Sequence, residues 1–153
     1  MNVSILLVED ELQYLVPLVN ALEDAYQLDT AGTFFEGLSC LMEKSYSLVI
    51  VDIMLNLGNI DPDLGRLTNT FDNVTIDSNR AGLFLLRILK GFVDRPKIRL
   101  ANNAKTPIIA ITAVTDLAVH DELRNLGVLV ATKPLKLHEI LPLVESAILG
   151  ETK

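Results

Sequence analysis

Val3-Ser4-Ile5-Leu6-Leu7-Val8-Glu9-Asp10 is the stretch on which the fold turns: a short, nearly continuous apolar run that ends abruptly in two acids. An apolar run of this length without polar alternation fits a strand buried on both faces, as in a parallel sheet covered by helices. Leu48 to Val51, Ile108 to Ile111 and Val128 to Ala131 have the same character, and a weaker candidate spans Gln27 to Thr30. Between them lie segments with helical spacing: Leu12 to Ala25, Phe34 to Glu43, Ala81 to Val93, Thr115 to Leu126 and Leu137 to Leu149. Strand and helix thus alternate, and each strand reaches a parallel neighbour through a helical crossover, which predicts an α/β, doubly wound five-stranded parallel sheet. Pro17 and Pro142 fall inside two of the helical segments, and a ring without an N–H predicts irregular or late starts there.

The chain has 153 residues, 50% of them hydrophobic and 22% charged, which fits a single domain over residues 1–150 and leaves no room for a second of ordinary size. Thirteen Lys and Arg stand against twenty Asp and Glu, a net charge of −7, which argues against direct nucleic-acid binding or attachment to anionic lipid. Cys40 is the single cysteine, so an internal disulfide and a multi-cysteine zinc site are both excluded, and a reducing compartment is expected. No stretch approaches the roughly 18 apolar residues of a membrane span, and Met1-Asn2-Val3 lacks a basic segment leading into a signal-type run. The expectation is a soluble cytoplasmic protein.

In an open parallel sheet the carboxyl ends of the strands share one edge, where ligands bind. Glu9 and Asp10 follow the first strand, Asp52 ends the third, Thr112 ends the fourth and Lys133 follows the fifth. Three carboxylates gathered there repel one another unless a cation neutralises them. Oxygen donors without cysteine or histidine suit Mg²⁺. A lysine and a hydroxyl beside the acids complete a site for a phosphoryl group.

Val8-Glu9-Asp10-Glu11, Val51-Asp52-Ile53-Met54, Ile111-Thr112-Ala113 and Thr132-Lys133-Pro134, in that order along nearly the whole chain, resemble the receiver domain of two-component response regulators. The resemblance implies a flavodoxin-like fold with Asp52 as the nucleophile that takes a phosphoryl group from a phosphohistidine. It implies that Asp10 binds Mg²⁺ directly, that Glu9 assists through water and that the Met54 carbonyl is a further ligand. Thr112 would bond the phosphoryl oxygen and shift inward, Lys133 would pair with the same group, and the Lys133-Pro134 bond would be cis. The partners so implied are a sensor histidine kinase or a histidine phosphotransfer protein, and an unknown downstream protein target. The face made by the fourth helix, fifth strand and fifth helix is where relatives commonly form a homodimer or bind targets. With no effector segment after Leu149, the expected form is a single-domain receiver that acts through protein contacts.

Two features depart from that pattern. Val130 stands three residues before Lys133, where the family usually has an aromatic side chain, so signalling is expected to rely on loop or helix displacement rather than a rotamer switch. Taking Gly82 as the family's glycine makes Asn56 to Arg80 mostly an insertion, with a hairpin suggested over Leu67 to Phe71 and Val74 to Ile76 around Asp72-Asn73. It could act as a lid, a docking surface or a tolerated loop. Asp94 to Thr106 is also long.

Blander readings compete at several positions. Asn59, Asp61, Asp63 and Gly65 faintly suggest a calcium loop, but the sixth position lacks a glycine and Thr70 stands where the bidentate glutamate belongs, so a polar turn is the better reading; His120 and His138 fit solvated helix positions, and Cys40 fits a small core residue. Glu9 and Asp10 could merely favour the start of the first helix. Two other functions remain open: a receiver-like scaffold that is never phosphorylated, and a Mg²⁺-dependent phosphohydrolase working through an aspartyl phosphate. The second would want an acid two residues after Asp52, where this chain has Met54.

Overall fold

The structure is a computed structural model that describes residues 2–56, 58, 80–91, 100–113, 115 and 117–150. Its strands are β1 (Ser4–Val8), β2 (Gln27–Ala31), β3 (Leu48–Asp52), β4 (Ile108–Thr112) and β5 (Leu129–Thr132), all parallel in the order β2-β1-β3-β4-β5. Its helices are α1 (Val16–Ala25), α2 (Phe34–Glu43), α3 (Ala81–Leu89), α4 (Leu117–Leu126) and α5 (Leu137–Leu149). The sheet is doubly wound, as the alternation predicted.

Period-two alternation explains the two layers. Leu6, Val8, Val49, Val51 and Ala110 project to one side and pack with side chains of α2, α3 and α4. Ile5, Leu7, Leu48, Ile50, Ile109 and Ile111 project to the other, against α1 and α5. Every residue of β3 is buried, because it lies between β1 and β4 with helices on both faces. Edge strand β2 is half-exposed and carries Gln27 and Asp29, which is why its pattern is the weakest in the sequence.

The helix boundaries follow local chemistry. Pro17 lies in the first turn of α1, whose start is delayed by a 3-10 turn at Leu12–Tyr14, as expected. Thr33 caps α2 by accepting the Glu36 N–H at 3.2 Å, and Glu36 reaches back to accept the Gly32 N–H at 2.7 Å. Pro142 corrects the sequence expectation: α5 starts at Leu137 and runs on through the proline. Pro142 and His138 both lie on the exposed face, so water can satisfy the carbonyl that lacks its helical donor. Helix α3 stops at Leu89 rather than Val93, because Gly91 takes a left-handed φ of 78° that ends the helix.

At the amino edge of the sheet, buried Asn103 replaces missing backbone partners. Its amide donates to the Leu41 and Lys44 carbonyls at 2.9 and 2.7 Å, and its oxygen accepts the Tyr46 N–H at 2.8 Å. Helix α2 is thereby tied to the segment that enters β4. The suggested hairpin, the calcium-like residues and most of the expected insertion lie outside the described residues. Cys40 is half-buried against the α2 side of the core, and His138 is exposed on α5.

Candidate functional site

In a 2-1-3-4-5 sheet the chain turns outward in opposite directions from β1 and β3, and the crevice between their carboxyl ends is where such folds bind ligands. Register brings the predicted residues there: Val8 pairs with Val51, Asp52 with Ile111 and Thr112 with Thr132. Asp10, Glu11, Asp52, Met54, Asn56, Ala113 and Lys133 line an open cleft of about 460 Å³.

Asp52 ends β3 almost wholly buried, yet both its oxygens are held. The Lys133 ammonium donates to Oδ2 at 2.9 Å, and the Met54 N–H donates to Oδ1 at 3.0 Å. Lys133 also donates to Glu9 Oε1 at 3.1 Å, so one cation bridges two buried acids. Lys133 is itself positioned by its backbone N–H, which bonds the Thr112 carbonyl at 2.9 Å, and is followed by a cis peptide to Pro134, as expected.

Carboxylate oxygens of Glu9, Asp10 and Asp52 lie within 4.8 Å of one another. Burial, followed by the hydrogen bond and charge of Asp52, pushes the Glu9 carboxyl up to about 8. Burial and the Asp52 charge also raise Asp10 above the usual carboxylate range. Burial alone would lower the Lys133 ammonium, but Asp52 and Glu9 hold it above its ordinary value. Glu9 Oε2 is buried with no hydrogen-bond partner among the described residues. An orphaned carboxylate oxygen beside two further acids wants a proton or a cation, and the all-oxygen donor set fits Mg²⁺.

Thr112 is at the same edge but fully buried, and Ala113 rather than Thr112 lines the cleft. Met54 is half-exposed at the rim. Two contributions go beyond the predicted site. Gly82, at the start of α3, lies so close to β3 that a Cβ there would stand 1.8 Å from the Asp52 carbonyl oxygen, and its N–H bonds the Ile53 carbonyl at 3.2 Å. Asn56, which the sequence marked only as the start of an insertion, donates its side-chain amide to Asp10 Oδ2 at 2.7 Å. The available signal was an amide four residues after a strand-end acid, too common to single out.

This sheet order and cleft define a receiver-type architecture, and solved structures agree. A CheY-like response regulator receiver domain protein from Methanospirillum hungatei superposes with a TM-score of 0.68 at 21% identity, covering 99% of this chain and 97% of that one. The non-phosphorylated HemR receiver domain from Leptospira biflexa gives 0.67 at 24% identity, with coverage of 96% and 94%. The receiver domain of a sensor histidine kinase from Pseudomonas aeruginosa, which has a magnesium ion coordinated in its active-site cleft, gives 0.66 at 18% identity, with coverage of 97% and 98%. The sequence matches no family model and no curated protein. The fold of this chain is therefore the response regulator receiver fold. No helix among the described residues is long and apolar enough to cross a membrane.

Proposed function

We propose that this chain is the phosphoacceptor of a two-component phosphorelay, taking a phosphoryl group on Asp52 from the phosphohistidine of a sensor histidine kinase or histidine phosphotransfer protein. One observation carries the reading: Asp52 faces an open cleft with Lys133 on one oxygen, a backbone N–H on the other, and two acids within metal-sharing distance. A structural ion pair has no need of the second and third acids, whose mutual repulsion raises the energy of the site.

In the transfer, an Asp52 oxygen attacks phosphorus in line, the N–P bond breaks, and the imidazole leaves with that electron pair. Asp10, Asp52 and the Met54 carbonyl would hold Mg²⁺, with Glu9 assisting through water, and the ion would supply neutralisation of the phosphoryl charge. Lys133 keeps its position and exchanges one carboxylate partner for a phosphoryl oxygen. Thr112 moves from its buried place to donate its hydroxyl to the same group. The protein catalyses only its own phosphorylation and dephosphorylation, in the cytoplasm. Its output is a contact between the α4-β5-α5 face and a downstream protein or a second copy of the chain.

Incubation with acetyl phosphate and Mg²⁺, read by intact mass, tests this. One phosphoryl group that requires Mg²⁺ and disappears in Asp52→Asn is the expected result. A folded, Mg²⁺-binding protein that is modified neither by acetyl phosphate nor by a panel of histidine kinases would instead be a receiver-shaped scaffold.

A further inference from the structure

Asn56 is fixed from two sides. Its backbone carbonyl accepts the Phe34 N–H at 2.7 Å, at the first turn of α2, and two residues on, Gly58 passes so close to Thr33 that a Cβ would stand 2.5 Å from the threonine Cβ. Gly58 has the left-handed φ of 82° that lets the chain make this approach. The segment leaving β3 is thus fastened to the start of α2. From that anchor the Asn56 carboxamide reaches across the cleft mouth to Asp10 Oδ2. Turning the amide over would set its oxygen 2.7 Å from an acceptor, so the donor orientation is the one an ionised Asp10 accepts.

We infer that Asn56 is a positioning residue for cation binding, holding one Asp10 oxygen so that the other faces the space shared with Glu9 and Asp52. Carboxylates that ligate metals are themselves oriented by hydrogen bonds, and loss of such a partner costs about 10–100-fold in metal affinity. Without the amide, Asp10 swings freely at the cleft rim, and the cation must order it on binding. The unpartnered Glu9 Oε2 independently marks the interior of the same space as wanting positive charge. The inference rests on the reading of Asp10 as a Mg²⁺ ligand, and deepens it by making Asn56, just after β3, and the start of α2 part of the metal site's support.

The experiment titrates Mg²⁺ into the full chain by calorimetry, for wild type and Asn56→Leu, a substitution of similar size that removes the donor and keeps the backbone carbonyl. The Phe34 amide resonance reports whether the loop remains docked. The expected result is at least tenfold weaker Mg²⁺ binding with the Phe34 amide unmoved. Equal affinities, or a loss accompanied by a displaced Phe34 resonance, would overturn the positioning role while leaving the metal site intact. A wild type that binds no Mg²⁺ would overturn the metal reading, and this inference with it.

Discussion

Replacing Glu9 by Gln isolates the most unusual electrostatic feature of the site. Glu9 is fully buried, and its folded carboxyl sits at about 8 against an ordinary value of 4.5. Between those values the unfolded chain has released this proton while the folded chain still holds it. The resulting contribution to stability is therefore complete below 4.5 and lost progressively as pH rises through 8. The slope approaches about 1.4 kcal/mol per pH unit, so raising the pH from about 6 to about 7.5 removes about 2 kcal/mol. For a domain of this size that is a fall of about 4–8 °C in Tm. Thermal unfolding in EDTA at both pH values should show this fall in wild type and a much smaller one in Glu9→Gln. Mg²⁺ should oppose the trend by favouring the ionised carboxylate. Its binding near neutral pH should release close to one proton, measurable by calorimetry in buffers of different ionisation enthalpy. Equal pH slopes in the two proteins, or Mg²⁺ binding without proton release, would refute the assignment of a protonated Glu9 to the metal-free site.

Lys133→Met leaves Glu9 and Asp52 buried without their shared cation; urea unfolding at about pH 7.5 should show a loss of about 3 kcal/mol that shrinks at about pH 5.5, and an equal loss at both would contradict the ion-pair account. Gly82→Ala drives a methyl group into the Asp52 carbonyl, and denaturant titration should show a loss of about 3 kcal/mol or more together with slower labelling by acetyl phosphate; a loss under about 1 kcal/mol would mean α3 can retreat freely. Asn103→Ala strands the buried Tyr46 N–H and removes the donor to the Leu41 and Lys44 carbonyls, costing about 3 kcal/mol, yet Mg²⁺ affinity should not change because these groups lie at the opposite edge of the sheet. Calorimetry on that variant separates stability from site function.

How much was legible beforehand depended on whether local pattern or distant packing decided the outcome. Strands β1, β3 and β4 could be read because burial on both faces leaves an uninterrupted apolar signature, and the acids that interrupt it at positions 9, 10 and 52 mark the strand ends. Strand β2 was fainter because an edge position tolerates Gln27 and Asp29. Pro142 misled because its penalty depends on whether the freed carbonyl faces water, which is a property of the folded surface. Asn56 and Asn103 were invisible for a related reason. An asparagine in a connecting segment is common, and what distinguishes these two is the chain placed across from them: Asp10 is 46 positions away from the first, and Leu41 is 62 away from the second.

The charge arrangement also bears on how a phosphoryl group would be noticed. Lys133 bridges Glu9 and Asp52, and its backbone N–H hangs on the Thr112 carbonyl, so β5 and β4 are joined to the acceptor through one residue. Any group added to Asp52 must either share this ammonium or displace Glu9 from it, and in both cases the balance at the ends of β4 and β5 changes. Val130, one turn of the pleat upstream on β5, is half-buried against the core on the α4 side and is too small to transmit that change by a large rotamer swing. Helix α4 is held to α3 by Arg87, whose guanidinium forks onto Glu122 with one arm at 2.6 Å. If Asp52 is phosphorylated as proposed, a small side chain on β5 leaves a shift of helix α4 as the expected response, and such a shift would have to break the Arg87–Glu122 clamp or carry α3 with it.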